Sequence, residues 1–310
     1  MSSETSASPH LTFLIPTRNR REDLHRLFRS LAAQTRKPDH VIIIDGGEDH
    51  VQDFIQAYPN LPVSYLPVYP PGLTRQRNAG LANVPKETTL VGFLDDDLEL
   101  TPNTTEEMLR FWSHAEPAIA GCSFHIVNNV PTEATVFRRV FGLAGGRGGR
   151  ILPSGFNTIL FPVVQDTPVE WLCGGATVWR AEVFRDHRYE ERYRGHGHFD
   201  DLDFCLSLGK NCRFMMLSEA RVIHHHHGFR KGKFMAFGIS DVINRYRFVR
   251  KYRLSVPAFC WASLGQLIGT LLSGVLRLDR DRIAIGFGIV AGFGRILLNR
   301  TEDFNALDLK

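Results

Sequence analysis

The 310-residue chain has little with which to staple itself together. Its five cysteines (Cys122, Cys173, Cys205, Cys212 and Cys260) are odd in number and scattered, with neither the paired spacing of a zinc site nor an even disulfide framework. Reduced thiols in a cytosolic protein are the expectation. The opening "MSSETSASPH" lacks the apolar run of a signal peptide, so residues 1–10 are expected to be a disordered tail. There is no internal repeat, no GxGxxG and no GxxxxGK(S/T), which disfavours a solenoid, a dinucleotide fold and a P-loop. A net charge of +4 and a pI near 8.9 are too mildly basic to imply a nucleic-acid partner.

What the chain does have is core-forming material, at 43% hydrophobic and 23% charged, ordinary values for a folded domain. Five short runs, "LTFLI" (11–15), "VIII" (41–44), "VSYL" (63–66), "LVGFL" (90–94) and "AIAGCSF" (118–124), are apolar on both faces, as strands covered by helices must be. Between them Glu22–Ala33, His50–Tyr58, Arg75–Ala82 and Thr105–Ala115 have the length and spacing of helices. Repeated βαβ units predict an α/β fold, an open and mostly parallel sheet with helices on both faces. Asn128 to Pro168 is less regular, and "GLAGGRGGR" within it is expected to be a surface loop.

Sheets of this kind bind ligands beyond the carboxyl ends of their strands. There stand "PTRNR" after the first strand, "DGG" after the second and "DDD" after the fourth, which argues for one site. Three adjacent carboxylates repel one another unless something cationic sits against them. Asp95 and Asp97, two apart in an extended segment, point the same way. Such a pair suits a hard divalent cation, Mg²⁺ or Mn²⁺, shared with substrate phosphates. An EF-hand register starting at Asp95 is disfavoured, because its sixth position is Leu100 instead of glycine. A solvated acidic turn is the plainer alternative. A second acidic word, "FDDLDF" (199–204), offers either a general base or simply a favourable helix start.

Taken in order, "PTRNR", "VIIIDGG", "RQRNAG", "FLDDD", "GGATVWR" and "FDDLDF" resemble the family 2 glycosyltransferases of the GT-A fold, over about Leu11 to Lys251. The resemblance implies an inverting transfer of sugar from a nucleotide-diphosphate sugar to a saccharide or polyprenol-linked acceptor. It implies a donor pocket from Pro16, Thr17, Arg18, Asn19, Asp45, Arg77, Asn78 and Asp96, and metal ligation by Asp95 and Asp97. It further implies His224 as a metal or diphosphate contact, with Gly174, Gly175 and Trp171 on the acceptor side. Asp201 matches the base. The chain has Asp200-Asp201 where the family usually has Glu-Asp, so Asp200 stays a candidate, and Ser207 stands where a basic residue is common. A nucleotidyltransferase or a non-catalytic nucleotide-sugar-binding protein remain the alternatives.

The domain boundaries expected from these patterns are 11–233 for the catalytic domain, in halves 11–125 and 126–233, and 234–310 for a helical region. Between Phe229 and Leu254 eight basic residues meet one acidic residue, Asp241, and Leu254–Leu276 carries no charge. A basic stretch beside an apolar helix suits a peripheral position on an anionic cytoplasmic leaflet. A helical appendage packed on the catalytic domain or on a second subunit is the alternative.

Overall fold

A computed structural model describes residues 9–130, 133–193, 199–225 and 233–301. The expected N-terminal tail lies almost wholly outside the described residues. The chain divides into two compact units interleaved in sequence. The first comprises residues 1–129, 162–189 and 207–226, and the second residues 130–161, 190–206 and 227–310.

Among the described residues the first unit holds nine strands. They are β1 (Leu11–Thr17), β2 (His40–Asp45), β3 (Val63–Pro67), β4 (Leu90–Leu94), β5 (Leu98–Leu100), β6 (Ile119–Ile126), β7 (Thr167–Val169), β8 (Ala176–Arg180) and β9 (Arg213–His224). Its helices are α1 (Arg21–Ala32), α2 (Phe54–Ala57), α3 (Leu73–Leu81) and α4 (Thr104–His114). One sheet runs β3-β2-β1-β4-β8-β6-β9-β5, with β7 also on β9. The pairs among β1 to β4 are parallel, whereas β8 joins β4 and β6 antiparallel. All five apolar runs are strands, and β1 and β4 are buried along their whole length because helices cover both faces.

Helix α1 shows why the sequence folds this way locally. Leu24, Leu27, Phe28 and Leu31 recur every three or four residues and are fully buried, while Glu22 and Asp23 favour its amino end. The expected helix over 50–58 shrinks to the single turn of α2. Asp49–Gln52 is instead shaped around the Asp45 carboxylate, which accepts the Val51 amide at 3.4 Å. Strand order reverses at β1, which has β2 on one side and β4 on the other. That reversal opens a crevice at the carboxyl ends of β1 and β4.

The second unit contains α5 (Val136–Val140), α6 (Asp200–Ser207), α7 (Phe234–Lys251), α8 (Val256–Leu276) and α9 (Arg280–Leu297). The glycine-rich stretch, residues 142–150, is an irregular loop of turns and bends, and the segment after it folds back through a bridge between Ile151 and Asn157, with Gly155 turning at φ of 75°. Val242, Val249, Phe259 and Ile289 form the apolar centre of the three long helices. Beside them lies a buried ion pair, Asp241 Oδ1 to Arg245 Nη2 at 2.8 Å. Arg245 also donates to the Gly155 carbonyl at 2.9 Å and stacks on Phe156, while Gln266 donates to Asp241 at 2.9 Å.

Removing one partner of such a pair strands a buried charge, which typically costs about 3–5 kcal/mol. Arg245→Leu and Asp241→Leu are each expected to lose stability on that scale in urea unfolding. The double variant should recover a large part of the loss, because no lone charge then remains.

Candidate active site

The crevice between β1 and β4 gathers most of the polar words. Asp95, Asp96 and Asp97 follow β4 directly, and each lies against a basic side chain, Arg20 being shared by two of them. Arg20 Nη1 lies 3.0 Å from Asp96 Oδ1 and 2.9 Å from Asp97 Oδ2. Arg77 Nη2 lies 3.7 Å from Asp95 Oδ1. His224 Nε2 lies 3.0 Å from Asp97 Oδ1. Asp96 additionally accepts the Thr17 hydroxyl at 2.7 Å.

These contacts differentiate three identical side chains. Burial pushes the Asp96 carboxyl up to about 7, opposed by the charge of Arg20 and the Thr17 hydrogen bond. Asp96 is thus committed to the protein, linking β1 to β4. Asp95 and Asp97 remain grouped with His224, and one ligand atom from each lies within 4.8 Å of the others. Burial by itself would lower the His224 pKa, yet the hydrogen bond and charge of Asp97, with the charge of Asp95, leave it raised. Two carboxylate oxygens and an imidazole nitrogen are a donor set that suits a divalent transition metal.

His224 reaches this point because β9 pairs antiparallel with β5, in a register that sets Leu98 opposite His224. Asn128 fixes it there, accepting the His224 amide and donating to its carbonyl, both at 2.9 Å. The neighbouring histidine does something else, since His225 Nε2 lies 2.8 Å from Glu99. His226 and His227 lie outside the described residues.

The remaining predicted residues fall into supporting positions around this centre. Arg77 is 2% exposed, sandwiched near the rings of Phe93 and Tyr189, so its charge faces Asp95 from a buried seat. Asn78 spends its amide on the Tyr189 backbone, donating at 2.9 Å and accepting at 3.0 Å, which fixes that ring beside Arg77. Asp45 is 1% exposed and accepts from Gly47 at 2.7 Å and from the Tyr65 hydroxyl at 2.9 Å. It therefore shapes the turn after β2. Asn19, in the left-handed region at φ 55°, accepts the Glu48 amide at 2.8 Å and joins the loops after β1 and β2. Pro16 is buried at the end of β1, and Arg18 is exposed beyond it.

Gly174 and Gly175 bear on this centre directly. The Gly175 carbonyl accepts the Asp95 amide at 2.8 Å, and a Cβ on Gly175 would overlap the Asp95 carboxylate. A Cβ on Gly174 would press on Arg77 at 2.7 Å. Trp171 is buried just upstream. Two residues not singled out from the sequence matter as much. Arg20 closes "PTRNR" and is indistinguishable there from its exposed neighbour Arg18. Gln76 donates to the carbonyls of Thr17 at 3.0 Å and Ile44 at 2.6 Å, fastening the ends of β1 and β2.

In the second unit "FDDLDF" opens α6, and its aspartates are sorted in the same way. Asp203 is buried, and its carboxylate accepts from Lys251 at 2.7 and 2.9 Å. Asp200 is buried as well, and Asp201 is the half-buried member of the three. Phe199 precedes them at φ 84°, a costly conformation for an aromatic residue, and is held against Phe248 and Arg245.

Gly175→Ala is expected to cost about 1–3 kcal/mol by overpacking against Asp95. Gly146→Ala, with nothing within 4 Å of its new methyl, should be close to neutral. Thermal unfolding of the two variants side by side checks this.

The glycosyl transferase family 2 model matches residues 12–188. A validoxylamine A glucosyltransferase of Streptomyces hygroscopicus subsp. limoneus is 27% identical, covering 92% of this chain and 69% of its own. Among solved structures, the mannosyltransferase PcManGT from Pyrobaculum calidifontis, in complex with GDP-Man and Mn²⁺, superposes with a TM-score of 0.55 at 14% identity. That match covers 98% of this chain and 89% of the other. TarS of S. aureus gives a TM-score of 0.48 at 14% identity over 89% of this chain, which spans 54% of the TarS chain. The mixed α/β architecture is the GT-A fold, and the chain belongs to glycosyl transferase family 2.

Proposed function

We propose that this glycosyltransferase moves a sugar, with inversion, from a nucleotide-diphosphate sugar to an acceptor hydroxyl. The observation that carries the reading is the cluster of Asp95, Asp97 and His224 at the crevice where strand order reverses. Its donor set fits Mn²⁺ or Mg²⁺, and the imidazole favours Mn²⁺. A bound divalent cation supplies counter-charge to the leaving diphosphate. The complex of PcManGT with GDP-Man and Mn²⁺ supports the same pairing of donor and metal.

The protein's own residues do the rest. Arg20 and Arg77 brace Asp97 and Asp95. Arg18, exposed after β1, is available to the donor, and Thr17 and Asn19 set the backbone on which it stands. Asp201 accepts the acceptor's hydroxyl proton as the new bond forms. It is preferred over Asp200 and Asp203 because those two are buried and Asp203 is neutralised by Lys251. The acceptor is a saccharide or a polyprenol-linked sugar, which places the enzyme in cell-surface polysaccharide or glycolipid synthesis.

Asp97→Asn should weaken Mn²⁺-dependent binding of a nucleoside diphosphate and nearly abolish transfer. Calorimetry with Mn²⁺ and UDP, GDP or dTDP measures the first effect, and unchanged metal-dependent affinity would remove Asp97 from the ligand set. Asp201→Asn should keep donor binding while lowering kcat by roughly 10²–10⁴, the scale of general-base catalysis. If Asp200→Asn is the inactive variant instead, the base is Asp200. Release of a nucleoside diphosphate, as opposed to pyrophosphate, separates glycosyl transfer from nucleotidyl transfer.

A further inference from the structure

Helix α8 has an inner face like any packed helix, with Phe259, Ala262, Ser263, Gly265 and Gly274 buried. Its outer face is the anomaly. Trp261, Leu264, Ile268, Leu272 and Val275 recur every three or four residues and are between 40% and 60% exposed, where a surface helix is normally polar. The apolar surface continues on α5, where Val136 and Val140 are 77% and 60% exposed. The two helices are joined at Trp261, whose indole donates to the Val140 carbonyl at 2.8 Å and stacks on Phe141.

Along the adjoining side of α8, 100° per residue places Gly265, Gly269, Ser273 and Arg277 beside the stripe. There a cleft of about 580 Å³ is lined by Phe137, Leu143 and Phe156 and by Arg138, Arg277 and Arg282. Arg282 is partnered, at 3.2 Å from Asp279. Arg138 donates to the Leu143 carbonyl at 3.2 Å, and its buried Nε has no hydrogen-bond partner among the described residues. Hydrocarbon surface and guanidinium groups thus lie edge to edge. Arg139 and Arg280 add to the positive charge near them, against Asp279 and Asp281.

We propose that this surface seats the second unit on a bilayer of anionic lipid. Acyl chains cover the α8–α5 stripe, and lipid phosphates take up the arginines of the cleft and of the Arg277–Arg282 turn. Charge decides between this occupant and a second copy of the chain. Arg250 and Arg253 stand before α8, and Arg277 and Arg280 stand after it. Pairing two α8 helices antiparallel sets one basic end against the other, and pairing them parallel sets each against its like. Either arrangement is repelled, whereas anionic headgroups neutralise both ends. The helix is long and apolar enough to cross a membrane by length and composition. Its buried inner face and the Gln266 bond to Asp241 instead keep it lying along the unit, as an interfacial helix does.

The test is flotation of the full chain with vesicles of phosphatidylcholine alone and of phosphatidylcholine mixed with phosphatidylglycerol. The protein should float with the mixed vesicles and stay down with the neutral ones. Salt should release it only in part, since charge is screened and apolar burial is not. Arg277→Gln and Arg280→Gln should each weaken binding roughly fivefold. Leu272→Glu and Ile268→Glu alter exposed positions, so circular dichroism should be unchanged while flotation is lost. Equal flotation with both vesicle types overturns the headgroup assignment. A folded protein that never floats overturns the proposal, as does a lipid-independent dimer that Leu272→Glu dissociates.

Discussion

Three carboxylates in a row at the end of a buried strand are the constraint around which the first unit is built. Two like charges about 4 Å apart repel by about 4 kcal/mol at an effective dielectric near 20. That is comparable to the whole stability of a typical domain, about 5–15 kcal/mol. The structure sets a basic side chain against each of them. Arg77 faces Asp95, Arg20 bridges Asp96 and Asp97, and His224 takes the other oxygen of Asp97. Those side chains come from three distant segments, so partnering the triplet also fixes how α1, α3 and β9 sit on the sheet. The loops after β1 and β2 then follow, with Gln76 and Asn19 tying one to the other.

Much of this was legible in the sequence where the signal is local. Apolar runs of both-faced burial gave the strands β1 to β4 and β6, because a covered strand needs such a run whatever its partners. The polar words at their ends located the site, since strand polarity alone decides which end carries them. The helix over 50–58 failed for a local reason too, as the carboxylate of Asp45 organises the turn that a helix would have needed. Register and handed pairing are different in kind. Nothing in "RVIHHHH" says that β9 runs antiparallel to β5 and sets Leu98 against His224. The resemblance to a family supplied His224, and the geometry supplied its partner Asn128.

Arginine shows the same limit more sharply. Arg18 and Arg20 share one five-residue word, yet Arg18 is exposed while Arg20 is committed to two aspartates. The difference is the start of α1 at Arg21, which turns the chain so that position 20 faces the crevice. Gly174 and Gly175 are a comparable case. Their place near the site was expected from the resemblance, but the reason is close approach: their lack of Cβ admits the Asp95 carboxylate and the Arg77 guanidinium. A sequence shows that glycine is present and leaves unsaid what it makes room for.

In each of the two acidic words of this chain, at least one carboxylate is held by the protein. In "DDD" the buried Asp96 is bound to Thr17 and Arg20, while Asp95 and Asp97 keep oxygens directed at a shared point. In "FDDLDF" the buried Asp203 is bound to Lys251, and Asp201 keeps partial exposure. A carboxylate buried among apolar side chains must be neutralised by the protein, which spends the charge that catalysis requires. One that keeps contact with solvent can hold its charge and still meet a ligand. In "FDDLDF" exposure sets Asp201 apart, whereas in "DDD" Asp97 is as buried as Asp96 and is set apart by its grouping with Asp95 and His224. A substitution such as Lys251→Met acts on a held carboxylate, because it removes the ammonium paired with Asp203.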